Sequence, residues 1–215
     1  MEPRRRAMRD DQKQLRRQAL IDAAWQLFTS SDYPAITMAG VAEHAGLAKG
    51  TLYLYFNTKE ELFLAVLAQQ FQAWMDELDA RLAAGAATVA AVAEPICDTL
   101  ARRAPLVRLL AILHTILEHN IELASALEFK QMLRERLART GALLEAALPA
   151  LGAGNGPAAL LHIYALIIGI ENLANPAPVV RAALRQPGME LFDIAFGPAF
   201  AAALVALLRG LARPE

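Results

Sequence analysis

The stretch TMAGVAEHAGLAKGTLYLYF, residues 37–56, predicts two short helices joined at a glycine. Thr37 can cap a helix that runs to about residue 45, because its hydroxyl can accept a hydrogen bond from a backbone N–H that the first helical turn leaves unpaired. Gly46 then supplies the turn, since glycine tolerates the positive φ angle that commonly follows a helix. A second helix is predicted from about Ala48 to Phe56. Two short helices in this arrangement form a helix-turn-helix.

The second of these helices has an inward and an outward side. Leu52 and Phe56 are four residues apart, so they share one face and can pack against the first helix. The remaining polar side chains suit contacts with DNA phosphates and sugars, and the helix N-terminus can offer backbone N–H groups to a phosphate. The alternative is that the tyrosines pack at the rim of the domain and the threonine is a plain surface position. These polar side chains are Lys49, Thr51, Tyr53 and Tyr55.

Further helices flank this motif on both sides. Apolar residues at helical spacing predict an amphipathic helix over residues 15–30, which Pro34 ends because it disfavours helix at the residue before it. After Asn57, the sequence Thr58-Lys59-Glu60-Glu61 is a capping box that opens a helix reaching about residue 84. We therefore predict a DNA-binding domain over residues 15–62 and a helical domain over residues 63–215.

Helical spacing recurs through the rest of the chain, and no segment alternates apolar and polar residues over a convincing strand length. The predicted fold class is therefore all-α. Pro95 should kink the first of the later helices or delay its start. Gly197-Pro198 can break the last helix, with Pro198 at a first helical position. The later helices are predicted at about residues 88–103, 105–119, 122–148, 157–174 and 190–211, with loops at 152–157, 175–178 and 186–188.

The charge of the chain is nearly balanced, at a formal −1 from 21 basic and 22 acidic residues. This balance argues against a DNA-binding protein without sequence specificity, because such binding is chiefly electrostatic. The first residues differ, since seven basic side chains stand against two acidic ones between residues 4 and 17. Residues 1–14 are predicted to be a basic flexible arm, which either contacts phosphates or is a solvated tail.

Cysteine content and hydropathy indicate a soluble, cytoplasmic protein. Cys97 is the only cysteine, so no intrachain disulfide can form and a reducing compartment is favoured. A small buried hydrophobe is the default interpretation of this residue, with a redox sensor as the alternative. The N-terminus lacks the apolar segment of a signal peptide. Two strongly apolar stretches, residues 158–170 and 199–208, fall short of the ~18 residues that indicate a membrane span.

The chain resembles the TetR family of transcriptional regulators. The resemblance rests on residues 37–56, on the following Lys59-Glu60-Glu61-Leu62, and on the apolar helix and exit turn before them, over about residues 15–67. The sequence departs from the family pattern at two positions. Ala48 replaces the Ser or Thr that is common before the Lys-Gly pair. Gly40 lies inside the first helix of the motif, where glycine costs about 1 kcal/mol relative to alanine.

The resemblance implies roles in DNA binding for individual residues. Phosphate contacts would come from a threonine at the start of the second helix and from a lysine at the start of the fourth. The third helix would be the recognition helix, and its tyrosines would reach the DNA backbone or the groove. The implied DNA-contacting residues are Thr37, Lys49, Gly50, Thr51, Tyr53, Tyr55 and Lys59.

For the C-terminal region the resemblance implies a helical bundle that dimerises and holds an inducer. The family's dimer is a four-helix bundle built from the last two major helices of each subunit, and residues 158–170 and 200–208 are the matching segments. Helices that are apolar around most of their circumference must be buried on several sides. Burial within one subunit is the alternative to dimerisation. A two-fold dimer would bind a roughly palindromic operator.

An inducer pocket would lie among helices four to eight. Polar residues amid apolar ones are candidate contacts for a largely apolar small molecule. Glu118 lies one helical turn after His114, so this pair can hold a polar group or a metal, or can simply form a local hydrogen bond. We predict no metal site and no cofactor. The candidate ligand contacts are His114, Glu118, His162, Tyr164 and Asn172, with His119, Asn120 and Glu171 as further candidates.

These patterns favour a regulator over an enzyme. The sequence contains no phosphate-cradling glycine loop, no nucleophile elbow and no HExxH zinc motif. The leading hypothesis is a repressor that leaves its operator when an inducer shifts its two DNA-binding domains, with the fourth helix linking Lys59 to Trp74. The alternative is an activator, or a ligand-independent DNA-binding protein of the same fold.

Overall fold

The computed structural model of the chain describes residues 2–85 and 88–212, with side chains from residue 11 onward. Within these ranges all regular secondary structure is helical, which confirms the all-α prediction. The described residues divide into two compact units. The first holds the residues up to Gln69 together with Leu113–Leu127, and the second holds Gln70–Ile112 and the described residues from Glu128 onward. The sequence predicts one boundary near residue 62 and gives no sign that residues 113–127 pack with the N-terminal part.

The first unit is organised around a small apolar core. Leu20 and Phe28 of the first helix, Val41 of the second, Leu52 of the third and Phe63 of the fourth are almost fully buried. The rings of Phe28 and Phe63 meet edge to face with centroids 5.7 Å apart, a favourable geometry for aromatic pairs. The helices that begin in this part of the chain are α1 (Glu2–Ser30), α2 (Met38–His44), α3 (Lys49–Leu52) and α4 (Lys59–Ala83).

Helix α1 is longer at its start than the sequence predicts. It begins at Glu2 rather than at about residue 15, so it includes the stretch for which an arm is predicted. Pro3 lies in the first helical turn, where its missing N–H is tolerated. No glycine or further proline follows before residue 34, and the intervening Arg, Gln, Leu and Ala residues favour helix. A contact between this stretch and DNA stays a prediction.

The second unit is built around the last two long helices of the chain. They pack against each other, and the final helix also packs on α5 while its partner packs on α6. Their inner faces bury Ile163, Ile167, Phe200 and Leu204. The π-helical turn at Leu113–Leu117, which follows α6 in the chain, belongs to the first unit. The remaining helices of the chain are α5 (Val89–Ala101), α6 (Ala104–Ala111), α7 (Leu123–Ala147), α8 (Gly156–Ala174), α9 (Pro178–Leu184) and α10 (Phe196–Leu211).

Helices α7 and α8 touch backbone to backbone at two glycines. A Cβ atom added to Gly141 would lie 2.7 Å from Pro157, and one added to Gly156 would overlap the carbonyl group of Gly141. The Glu145 carboxylate accepts a hydrogen bond of 2.6 Å from the backbone N–H of Gly156. A negative charge at a helix N-terminus is favourable, so Glu145 stabilises the start of α8.

Three predictions about prolines need correction or refinement. Helix α5 runs through Pro95 from Val89 instead of starting late, and the Thr99 hydroxyl donates to the Pro95 carbonyl at 2.7 Å. Helix α9 lies between the predicted loops at 175–178 and 186–188, where the sequence predicts no helix, and Pro178 occupies its first helical position, which proline favours. The last helix begins at Phe196 instead of residue 190, and Pro198 lies in its first turn.

Helix α8 is longer than the apolar stretch of residues 158–170 that the sequence marks. Its 19 residues make it long and apolar enough to cross a membrane by length and composition alone, although the apolar stretch within it, residues 158–170, is shorter than such a span. The helix packs against α6 and α10, and its residue Glu171 is buried. One face of the helix is therefore buried in the second unit, and the other is exposed.

Candidate nucleic-acid interface

The turn between α2 and α3 forms as the sequence predicts. The Thr37 hydroxyl accepts a hydrogen bond of 3.1 Å from the Gly40 N–H and so caps α2. Gly46 has a φ of 66°, in the left-handed region. The N–H of Gly46 bonds to the Glu43 carbonyl at 3.0 Å and that of Leu47 to the Ala42 carbonyl at 2.9 Å, which is the hydrogen-bond pattern of a Schellman cap.

Helix α3 is shorter than predicted, but its inward face is the predicted one. Its α-helical part covers only Lys49–Leu52, and the chain continues to Phe56 in turns. The N–H groups of Tyr55 and Phe56 both bond to the Leu52 carbonyl, at 2.9 and 3.1 Å. Leu52 is fully buried and Phe56 is 4% exposed. The Arg17 guanidinium lies 5.3 Å from the centre of the Phe56 ring, a cation–π distance.

The other faces of α3 carry the predicted DNA contacts. Lys49 and Gly50 are exposed, Tyr53 is 44% exposed, and Thr51 and Tyr55 are half-buried. A Cβ atom on Gly50 would meet no other atom of the chain within 4 Å. The arrangement leaves donors from three residue types on the surface, and the DNA contacts themselves stay predictions.

Tyr33, Lys59 and Glu60 form a cluster at the start of α4. The Lys59 ammonium lies 3.8 Å from the centre of the Tyr33 ring and donates to the Tyr33 carbonyl oxygen. The Tyr33 hydroxyl donates to the Glu60 carboxylate at 2.7 Å. Partial burial lowers the pKa of Lys59, against the opposing effect of Glu60. Burial and the bond to Glu60 together raise the pKa of Tyr33. One N–H of Lys59 thus bonds within the domain, and its predicted phosphate contact would use the other two.

The capping box at the start of α4 forms with one difference from the standard motif. Thr58 Oγ1 accepts from the Glu61 N–H at 3.1 Å, as the motif requires. The Glu61 carboxylate accepts from the N–H of Asn57 at 2.9 Å, one residue before the usual position. It also accepts from the Glu122 N–H at 3.3 Å and from the Ser125 hydroxyl at 3.4 Å. Glu61 is 9% exposed. Its hydrogen bonds to Glu122 and Ser125 hold residues 122–125 against the start of α4.

Two asparagines strengthen this attachment. Asn120 accepts a hydrogen bond of 2.8 Å from the Thr58 hydroxyl at its carbonyl oxygen, and its amide donates to the Glu60 carboxylate at 3.1 Å. The Asn57 amide donates to the Glu122 carboxylate at 2.8 Å. Asn120 is one of the further ligand candidates, and the structure gives its side chain a bond within the first unit. The sequence offers no local signal for bonds that join residues about 60 positions apart.

The predicted ligand contacts fall into separate groups. His114 and Glu118 lie in the first unit and form a hydrogen bond of 2.8 Å between Nδ1 and Oε2. Tyr164 is half-buried on α8, and its hydroxyl donates to the Leu110 carbonyl at 3.3 Å. His162 and Asn172 are exposed on α8. Over the described ranges, no group of three or more His, Cys, Asp or Glu residues could hold a metal ion. Ligand contact by these five residues stays a prediction.

A cavity of about 670 Å³ lies in the second unit, where α8 leads into α9 and the segment after it. Its lining mixes apolar and charged side chains, and none of the five candidates is among them. Lining residues include Leu173, Arg181, Leu184, Phe192, Asp193 and Ile194.

Two family models match adjoining parts of the chain. The model described as bacterial regulatory proteins, tetR family, matches residues 20–66. The model described as tetracyclin repressor-like, C-terminal domain, matches residues 68–214. The matched ranges include both the helix-turn-helix and the helices that follow it.

Curated relatives match the N-terminal region. The HTH-type transcriptional repressor KstR of Rhodococcus jostii (strain RHA1) is 42% identical over 57 residues, which are 26% of this chain and 27% of that protein. The fatty acid metabolism regulator protein of Bacillus subtilis (strain 168) is 28% identical over 68 residues, which are 32% of this chain and 35% of that protein. The matches thus span about a quarter to a third of these relatives' lengths.

Solved structures share the fold over nearly the whole chain. A TetR transcriptional regulator from Rhodococcus sp. RHA1 aligns with a TM-score of 0.57 and 21% identity, over 94% of this chain and 97% of that one. FadR from Bacillus subtilis, solved in complex with stearoyl-CoA, aligns with a TM-score of 0.51 and 19% identity, over 91% of this chain and 97% of that one. At these identities the likeness concerns the fold.

Proposed function

This chain belongs to the TetR family of bacterial transcriptional regulators, and we propose that it is a repressor that leaves a palindromic operator when a small molecule binds. The family consists of DNA-binding regulators rather than enzymes. The observation that carries the proposal is the outer side of α3, where Lys49, Gly50 and Tyr53 are exposed above a fully buried Leu52. Phosphate contacts by Thr37 and Lys59 would position this helix, because such contacts fix the register of a protein on DNA.

The proposed assembly is a homodimer formed through α8 and α10. On α8, Leu161 is 53% exposed and Ala165 and Gly169 are exposed, although the helix is strongly apolar. On α10, Ala202 and Ala206 are exposed on an equally apolar helix. Small side chains permit close approach of helices, and a two-fold axis would bring the same surface together from both subunits. The dimer would read two half-sites of one operator.

The proposed effector is a small molecule whose largely apolar part is an acyl chain. A family relation to regulators of fatty acid metabolism and the stearoyl-CoA complex of a structural relative support an acyl compound as the first probe. The second unit has an apolar interior with few polar groups. One of them is the indole N–H of Trp74, which donates to the buried Thr99 hydroxyl at 3.0 Å. The family is soluble, and a cytoplasmic location is part of the proposal.

Selection of DNA from a random double-stranded pool tests the proposal, with competitor DNA at fixed salt. We expect a palindrome, and we expect Lys49→Ala or Tyr53→Ala to weaken its binding by about tenfold or more, as for the loss of one good contact. Arg134→Ala is the matched control, since Arg134 is exposed on α7 outside the motif. Failure of the folded dimer to enrich any sequence, or equal affinity of all the variants, would contradict the proposal.

Release by an effector is a separate measurement on the same operator. Stearoyl-CoA is added to the preformed complex, and transcription from a promoter that overlaps the operator is followed in parallel. Repression in its absence and recovery in its presence are the expected results. Transcription that rises when the protein binds would instead identify an activator.

A further inference from the structure

The outer side of the recognition helix carries an aliphatic side chain that the fold does not use. Leu54 is 79% exposed, whereas Leu52 is 0% exposed and Phe56 is 4% exposed. A single exposed leucine is ordinary on a protein surface. Leu54, however, lies between Tyr53 and Tyr55, in the segment that would enter the DNA groove.

Leu54 lies in the turn that follows α3, on the side away from the core. The N–H of Leu54 bonds to the Thr51 carbonyl at 3.2 Å, so the chain is still turning in a helical sense here. The bond joins residues three apart, a pattern in which successive residues turn by about 120°, so Leu54 lies about 120° around the axis from Leu52. Gly50, inside α3, lies about 160° from Leu52. Gly50 has open space at its Cβ position, one turn before Leu54. Both residues therefore face away from the buried Leu52.

The chemistry of Leu54 separates it from its neighbours. Lys49, Thr51 and Tyr53 carry donors that suit phosphates or base edges, but a leucine can offer neither a hydrogen bond nor a charge. The major groove exposes one apolar group on its base edges, the C5 methyl of thymine. A leucine side chain that meets this methyl removes apolar surface of both partners from water.

We propose that Leu54 contacts a thymine methyl in each operator half-site and selects for thymine at that position. This inference rests on the proposed function of α3 as the recognition helix. Leu54 would then be a specificity residue, with Gly50 allowing the backbone before it to come close to the bases.

The test replaces thymine by uracil, one position at a time, in the operator that the wild-type protein selects. Uracil removes only the methyl group and keeps every hydrogen-bonding atom. We expect one position per half-site at which uracil weakens binding of the wild-type protein by about fourfold, the equivalent of about 0.8 kcal/mol for one buried methyl-sized group. Leu54→Ala should bind the thymine operator more weakly and lose the response to uracil at that position alone.

Leu123→Ala is the matched control, because Leu123 is 76% exposed in the same unit but lies outside the helix-turn-helix. It should bind both operators as the wild-type protein does. The proposal is overturned if Leu54→Ala binds the thymine operator as tightly as the wild-type protein does. It is also overturned if this variant keeps the full response to uracil, which would assign Leu54 to the DNA backbone or to another partner. Failure to select any operator would instead contradict the function proposed for α3.

Discussion

The helix-turn-helix and the α8–α10 pair both bury one face and expose another, but their exposed faces differ in chemistry. Helix α3 presents Lys49 and Tyr53, which can donate hydrogen bonds, above a buried Leu52. Helix α8 presents Ala165 and Gly169 above its buried face. The buried faces are both apolar and specify the fold. The exposed faces indicate the partner, since donors suit DNA whereas small apolar residues suit a second apolar surface.

The largest effect is expected where a charge is introduced on the exposed face of α8. Ala165→Glu would bury an unpaired carboxylate in the proposed dimer contact, at a cost of about 3 kcal/mol or more. The dimer dissociation constant should rise by about 100-fold or more, because about 1.4 kcal/mol corresponds to each factor of ten. Sedimentation or light scattering over a concentration series measures the change.

The control for this variant is Ala138→Glu, at an exposed position of α7 outside the proposed face. It should leave the dimer and the operator affinity unchanged. If Ala165→Glu remains as dimeric as this control, α8 does not form the dimer contact, and the comparison between the two exposed faces fails.

The next largest effect is a loss of folding stability when a methyl group is added where α8 meets α7. Gly156→Ala would push a Cβ atom into the carbonyl group of Gly141, so the two backbones must separate. We expect a loss of about 3 kcal/mol in the free energy of unfolding, at the upper end of typical overpacking costs. Urea denaturation at a fixed protein concentration measures this loss.

Gly197→Ala provides the comparison, because Gly197 is exposed in the first turn of α10 and lies outside the proposed dimer face. Its Cβ atom would meet no atom of the chain within 4 Å, so its effect on unfolding should stay below about 1 kcal/mol. Similar losses in the free energy of unfolding for the two variants would contradict the close contact between the backbones of Gly141 and Gly156.

The predictable parts of the fold are those with local causes. Thr37 caps α2 and Thr58 caps α4 through backbone groups three residues away, and Gly46 turns the chain at its own position. Each effect can be recognised in a few consecutive residues. The contact of Gly141 with Gly156 and the bond from Glu122 to Glu61 depend on tertiary packing, so no local pattern reveals them.

The same distinction applies to the candidate site. The inward position of Leu52 and Phe56 follows from their spacing on a helix, and the structure confirms it. Leu54 is missed when residues are selected for donor groups, although its helical phase relative to Leu52 would have placed it outward. The ligand contacts are the least predictable, because a polar residue in an apolar stretch does not reveal a cavity, and none of the five candidates lines the cavity between residues 173 and 194.

The smallest effects should separate the two glycines of the helix-turn-helix. Gly46→Ala forces alanine into a left-handed conformation at a cost of about 1 kcal/mol, without any clash, since no atom lies within 4 Å of its Cβ position. Gly50→Ala should instead raise stability by about 0.5 kcal/mol, because alanine favours helix and the position is open. Thermal unfolding and operator titration of both variants measure the two properties.

We expect Gly46→Ala to keep operator affinity below its melting temperature. Gly50→Ala should lose about fivefold or more in operator affinity where the backbone of residue 50 lies against the bases, since overpacking costs at least about 1 kcal/mol. Full operator affinity of Gly50→Ala would show that α3 stands farther from the groove than its exposed face indicates.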